Sequence, residues 1–105
     1  MRISYKLFLF CLLAWQQTFA SEKLISFKEV QMHNIARDCW IIVNAKVYNI
    51  TKFINAHDGK CNKIKLTDFC GKDASAAWIE KQESEQGHKR KSVLNFEQSQ
   101  IGTVP

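Results

Sequence analysis

The sequence predicts a small mixed α+β domain, with a few short strands in one sheet and several short helices packed around it. Three observations lead there. Two β-branched and aromatic runs, "CWIIV" and "KVYNI", are separated by the two residues Asn44-Ala45, which is the pattern of a strand pair. Short segments with helix-start signals flank these runs, and none after residue 20 is long and apolar enough to span a bilayer. No internal repeat, proline-rich linker or low-complexity tail divides the chain, so it reads as one unit.

The first twenty residues stand apart from that unit. Arg2 and Lys6 give a basic start, "LFLFCLLAW" is an apolar run, and Thr18 and Ala20 supply small residues before Ser21. That is the layout of a secretory signal. The expected division is a signal peptide over 1–20 and one folded domain over 21–105, with a periplasmic or secreted destination. A retained amino-terminal anchor is the alternative, and it is the only route by which this chain would meet a membrane. The apolar run falls short of the roughly 20 residues that a span needs.

Ser26 stands three residues before Glu29 in "SFKE", a capping box that starts a short helix through Val30 and Met32. Ile41 to Val43 form a first strand and Val47 to Ile50 a second, with Asn44-Ala45 at the turn. Thr51 then caps a one-turn helix, "KFINA", which delivers His57 to a loop. "KCNKIKL" is a candidate helix with Ile64 and Leu66 inward, broken by "FCGKD". Asp73 caps the next helix, "ASAAWIEKQ". "ESEQG" tethers it to His88, "KSVLNFE" is a last short helix, and "QIGTV" is a final strand or extended end.

Removing Arg2 and Lys6 with the signal lowers the formal net charge from +5 to +3. So mild a balance, with no basic stripe interleaved with stacking aromatics, does not imply nucleic acid, and no nucleic-acid partner is expected. Cys11 leaves with the signal, so Cys39, Cys61 and Cys70 remain. Export favours a bridge, and the odd count leaves one thiol over. The nearest pair in sequence, Cys61 and Cys70, is expected to form it, with Cys39 as a buried free thiol. Two unlinked core cysteines are the alternative.

His57 and His88 bracket a segment rich in apolar residues. A lone loop histidine is more often solvated than liganded. As a pair, each lies between two short helices, so two helical hairpins could present rings into a shared cleft. Phe53, Ile64, Leu66, Phe69, Trp78, Val93, Leu94 and Phe96 supply more apolar surface than so small a sheet needs. A flat apolar cofactor would account for the surplus. A zinc site built from Cys61, Cys70, His57 and His88 fits less well, because the close ligand spacing of zinc folds is missing and export oxidises thiols. Nothing in the sequence activates a cysteine beside a base, and there is no phosphate-cradling glycine loop.

"ISFKEVQMHNIARDCWIIVNAKVYNITKFINAHDGK" closely resembles the first half of the cytochrome b5 haem-binding domain. The matching features are "F…EV…HN…DCW", "VYNIT.FI..H.G", "CGKDASAAW" and the terminal "IG", so the likeness runs from Leu24 to Val104. The resemblance implies a haem pocket between two helical hairpins, in which His57 and His88 ligate one iron. His57 matches by its local motif; His88 matches by the fourteen residues separating it from Gly102. His33, in the "HN" of the opening, is implied to be structural. Phe53, Leu66 and Trp78 are implied to line the haem, with Val47, Ile64 and Phe96 nearby, although each also reads as ordinary core.

The likeness further implies non-covalent haem b, one-electron transport and no enzymatic activity of the chain's own. A redox partner protein, a reductase or oxidase, would be served. The basic "HKRK" at 88–91 would pair with a haem propionate or steer a partner with an acidic docking face. A haem sensor or storage module and a steroid-type ligand-binding relative are the alternatives. The sequence departs from the family at "HDGK", where Asp58 replaces a proline and Lys60 a glycine, so a looser hairpin is expected. The span between the histidines is also longer than usual. The Cys61–Cys70 pair is similar to secreted bacterial relatives, in which a bridge would brace the first hairpin.

Overall fold

The computed structural model describes residues 23–59, 64–84 and 87–105. The expected signal, Lys60, Cys61 and most of the "KCNKIKL" segment lie outside the described residues.

Helix α1 (Phe27–Met32) begins as the capping box requires: extended Ser26 accepts a hydrogen bond from the Glu29 amide at 3.1 Å through its hydroxyl. Val30 is the residue this helix buries. Strand β1 (Asn34–Ile35) pairs antiparallel with the start of β2 (Asp38–Val43), and β2 pairs antiparallel with β3 (Lys46–Asn49). Asn44 and Ala45 make the turn with φ of 52° and 65°. Two consecutive positive φ values match the twist of the flanking strands, and the non-glycine at Ala45 carries a steric cost.

A short 3₁₀ turn (Thr51–Phe53) leads into α2 (Ile54–Asp58), so "KFINA" is split and His57 lies inside the helix rather than in a following loop. The Thr51 hydroxyl does not cap that turn. It accepts from the Cys39 amide at 3.0 Å and donates to the Asn49 side chain at 2.7 Å, tying the turn to the sheet. A second 3₁₀ turn (Leu66–Phe69) precedes β4 (Lys72–Asp73). Helix α3 (Ser75–Glu83) follows, where the Asp73 carboxylate accepts from the Ser75 amide at 2.9 Å. Helix α4 (Arg90–Glu97) and strand β5 (Gln100–Thr103) complete the fold.

Strand β2 is the hub of the sheet. Besides β1 and β3 it takes β4 in parallel, with Ile41 opposite Lys72 and Ile42 opposite Asp73. β5 pairs antiparallel with β3, placing Gly102 opposite Val47. A Cβ at Gly102 would run into the Lys23 carbonyl oxygen, which explains the glycine where the incoming chain crosses β5. The architecture is the mixed α+β arrangement the sequence predicts, with a small mixed sheet and short helices.

The strand period of two divides the core. Cys39, Ile41 and Val43 of β2 and Tyr48 of β3 face one cluster, completed by Ile50, Ile54, Cys70 and Ala74. Ile42 and Val47 face the other, with Ile25, Val30 and Val104. Val47 is thus a correction to the implied site. It is fully buried in the second cluster, while its neighbour Tyr48 faces the side on which Phe53, Leu66, Trp78 and Phe96 pack.

The cysteine pairing is also corrected. Cys39 and Cys70 form the disulfide, with their Cα atoms 4.8 Å apart, so Cys70 cannot pair with Cys61 and Cys39 is not a free thiol. The sheet is the reason. Gly71 turns at φ +77°, and its amide donates to the Trp40 carbonyl at 2.6 Å. That contact starts the β2–β4 pairing and lays residue 70 beside residue 39. A Cβ at Gly71 would sit 2.7 Å from that of Asn34, so the turn needs glycine twice over. Tertiary pairing overrides sequence proximity.

Candidate functional site

Helix α2 is anchored by Ile54, buried in the first cluster, and carries His57 one turn later with its side chain 32 % exposed. The ring's Nδ1–H donates to Asp58 Oδ1 at 3.0 Å. Asp58 is itself held from the other side. Its carboxylate accepts from the Leu66 amide at 2.7 Å, the Thr67 amide at 3.2 Å and the Thr67 hydroxyl at 2.5 Å. Lys65 Nζ donates to the Asp58 carbonyl oxygen at 2.8 Å. The expectation of a looser hairpin at "HDGK" is therefore wrong in its cause. Rigidity lost with the proline ring is replaced by a carboxylate that pins the end of α2 to the second 3₁₀ turn.

Burial alone would raise the Asp58 pKa. The Thr67 hydroxyl, the Leu66 amide, the His57 ring and the Thr67 amide outweigh it and hold the carboxyl well below the usual carboxylate range. Asp58 is therefore an anion at neutral pH and can only accept. A hydrogen bond to that anion requires a proton on His57 Nδ1, so in a neutral ring the lone pair is on Nε2.

His88 lies between α3 and α4 and is held by different means. Gln82 Oε1 accepts from both the His88 backbone amide at 3.1 Å and its Nδ1 at 2.9 Å. The backbone donor identifies that Gln82 atom as oxygen, so His88 too carries its proton on Nδ1. The imidazole stacks on Trp78 with centroids 4.6 Å apart. Trp78 stacks on Phe96 at 4.4 Å, and Phe96 on Tyr48 at 4.0 Å. Burial lowers the His88 pKa, and the positive charges of Lys81 and of protonated His57 lower it further. The ring is neutral at pH 7, the state in which imidazole ligates a metal.

The structure brings most of the sequence-derived lining residues to one side of the sheet. Phe53, Leu66, Trp78 and Phe96 are partly buried against the first cluster, joined by Phe69. Ile64 is on this stretch of chain but 55 % exposed. Ile79 and Leu94 are also more than two-fifths exposed. Open apolar surface and two histidines tied at Nδ1 to protein acceptors are features that a flat apolar group with a metal at its centre would use.

Zinc fits less well still, because Cys70 is committed to a disulfide and offers no thiolate. His33 is elsewhere: its Nδ1 meets both Asp38 oxygens at 2.7 and 2.8 Å, and its ring stacks on Trp40 at 3.5 Å. Sequence reasoning missed Asp58, Gln82 and Tyr48. Strand alternation relative to Ile41 could have identified Tyr48; no local signal marks the other two.

Comparison with known proteins bears on the same surface. The family model of the cytochrome b5-like heme/steroid binding domain matches residues 26–104. Cytochrome b5 isoform B of Arabidopsis thaliana is 37 % identical over 82 residues, covering 78 % of this chain and 56 % of its own length. A probable cytochrome b5 of Schizosaccharomyces pombe is 39 % identical over 84 residues, covering 80 % of this chain and 60 % of its own. The chain thus spans less than two thirds of these curated relatives.

Among solved structures, cytochrome b558 of Ectothiorhodospira vacuolata, a prokaryotic homologue of cytochrome b5, shares the fold. It has a TM-score of 0.64 at 23 % identity, covering 78 % of this chain and 98 % of that one. The cytochrome b5 of Ostreococcus tauri virus 2 has a TM-score of 0.57 at 28 % identity, covering 75 % and 81 %. Capping box, hairpin sheet, paired histidines and family model converge, and the chain belongs to the cytochrome b5-like heme/steroid-binding domain family.

Proposed function

We propose that this chain is an exported haem b protein that carries single electrons, with His57 and His88 as the two axial ligands of one iron. One observation supports the reading: both imidazoles are tied through Nδ1 to protein acceptors, Asp58 and Gln82, and His88 stacks on the wall of Trp78 and Phe96. Haem held between two imidazoles supplies one-electron chemistry without an open coordination position.

The protein's own residues do the rest. Asp58 and Gln82 fix the tautomer and orientation of the ligand rings. Phe53, Leu66, Trp78 and Phe96 would line a bound haem and exclude water from it, and Tyr48 backs Phe96. Burial and the Glu97 carboxylate raise the Tyr48 pKa, so the phenol stays neutral.

Lys89, Arg90 and Lys91 are exposed at the start of α4. Cations there oppose the helix dipole, a cost that an anionic group would offset. A haem propionate or the acidic docking face of a redox protein would supply that group. Serving such a partner, and not catalysis, is the assigned role, and the amino-terminal signal pattern supports a periplasmic or secreted setting.

The test is an optical spectrum of the purified protein supplied with hemin. Wild type should give the sharp reduced bands of low-spin haem with two imidazole ligands. His57→Ala and His88→Ala should each lose them. A colourless wild type would refute the reading and leave the apolar surface to another small ligand.

A further inference from the structure

The two proposed ligands differ in what receives their Nδ1 protons, and the difference is one of charge. His57 donates to a carboxylate at 3.0 Å, and His88 to a neutral amide oxygen at 2.9 Å. The carboxylate is not a loose surface group. Its side chain is only 14 % exposed, and three further donors, the Leu66 and Thr67 amides and the Thr67 hydroxyl, fix it in place. A full negative charge on the far nitrogen of an imidazole pushes electron density toward the ligating one, which favours the higher charge state of a bound metal.

We propose that Asp58 is a positioning and tuning residue: it gives His57 partial imidazolate character and biases bound haem toward the ferric state, while Gln82 leaves His88 an ordinary imidazole. The inference rests on the proposed function for the identity of the metal group and goes beyond it in assigning unequal roles to the ligands. Reduction takes one electron from the external reductant and moves no proton, because Asp58 accepts the hydrogen bond in both states.

Asp58→Asn removes the charge and leaves one oxygen, which can serve the Leu66 amide and His57 at the Oδ1 position or the Thr67 amide at the Oδ2 position, but not both. In the haem-loaded protein, a redox titration should show ferrous haem favoured about tenfold more than in wild type, about 59 mV for one electron. Thr67→Val, which loosens the clamp but keeps the carboxylate, should change the ratio less than about twofold, because the charge facing His57 is unchanged.

A second measurement needs no haem. Nitrogen NMR of histidine-labelled protein should show His57 held with its proton on Nδ1 in wild type. In Asp58→Asn the fraction of His57 with its proton on Nδ1 should fall.

A rise in the ferrous preference of at least about threefold in Asp58→Asn alone, with the tautomer change, supports the assignment. A smaller rise, a fall, an equal effect of Thr67→Val or an unchanged tautomer overturns it. If Asp58→Asn does not retain haem, the tautomer decides by the same criterion. Failure of wild type to bind haem counts against the proposed function alone, because the NMR result stands apart from it.

Discussion

The two histidine-bearing segments reach similar ring chemistry by different constructions. His57 belongs to a helix whose preceding turn packs on the sheet and whose last residue, Asp58, is tied by its carboxylate to chain eight and nine residues later. The loop closed by the Cys39–Cys70 disulfide contains this whole segment. His88 lies outside that loop. It is positioned by a glutamine six residues earlier and by the face of Trp78, with exposed residues on both sides. One histidine is built into the covalent and ionic frame of the domain. The other is held by side chains of the preceding helix, an arrangement that tolerates the longer segment before it.

If that contrast is real, removing the disulfide should have the largest effect and should act on the His57 side. Cys39→Ala/Cys70→Ala frees the loop from residue 39 to residue 70. In the chain-entropy model this costs about 3–4 kcal/mol of stability. Urea unfolding of the haem-free protein should show that loss, and wild type treated with a reductant should follow the double variant. Hydrogen exchange should speed up across α2 and the second 3₁₀ turn before it does across α4. A loss below about 1 kcal/mol would mean that the sheet contacts hold the first segment without the bridge.

Acid should separate the two segments next. The Asp58 pKa is lowered in the folded state, so the anion is the form the fold favours. Its contribution is full above the ordinary carboxylate pKa of about 3.9 and is lost as pH falls below it toward the depressed folded value. Charge-assisted hydrogen bonds of this kind suggest about 2 kcal/mol at pH 7. Asp58→Ala should therefore be less stable than wild type at neutral pH and show a flatter decline in acid. Parallel pH profiles for the two proteins would remove Asp58 from its place in the frame.

The sequence shows these constructions unequally. The Ser26–Glu29 capping box, the Asn44-Ala45 turn, the two histidines and Trp78 are legible because their geometry is set by neighbours within one or two turns of chain. The disulfide is not, because its sulfurs meet only once Gly71 has turned β4 against β2. Asp58 misleads for a related reason. As a replacement for proline it reads as lost rigidity, while its hydrogen-bond partners are found in a turn whose position depends on the fold. The exchange of Val47 for Tyr48 is smaller, a single step along a strand, which reverses the face of every side chain.

The smallest effect, and the one that tests the second segment most directly, is expected at Gln82. Gln82→Ala removes the oxygen that accepts both the backbone amide and the Nδ1 proton of His88, while the stack on Trp78 remains. The side chain lies on the exposed side of α3, so its net contribution should be about 1 kcal/mol. Global stability should then barely move. Orientation of the ring is the sensitive quantity, and an imidazole free to rotate would hold a bound haem iron less well. Transfer of haem from the loaded protein to an excess of a haem-scavenging globin should quicken by about fivefold, the rate equivalent of that energy. The ferric-to-ferrous balance should stay near wild type, because a neutral acceptor has been lost and not a charge. Unchanged haem release would place the hold on His88 in the aromatic stack, and the contrast between the segments would then be one of ionic against aromatic support.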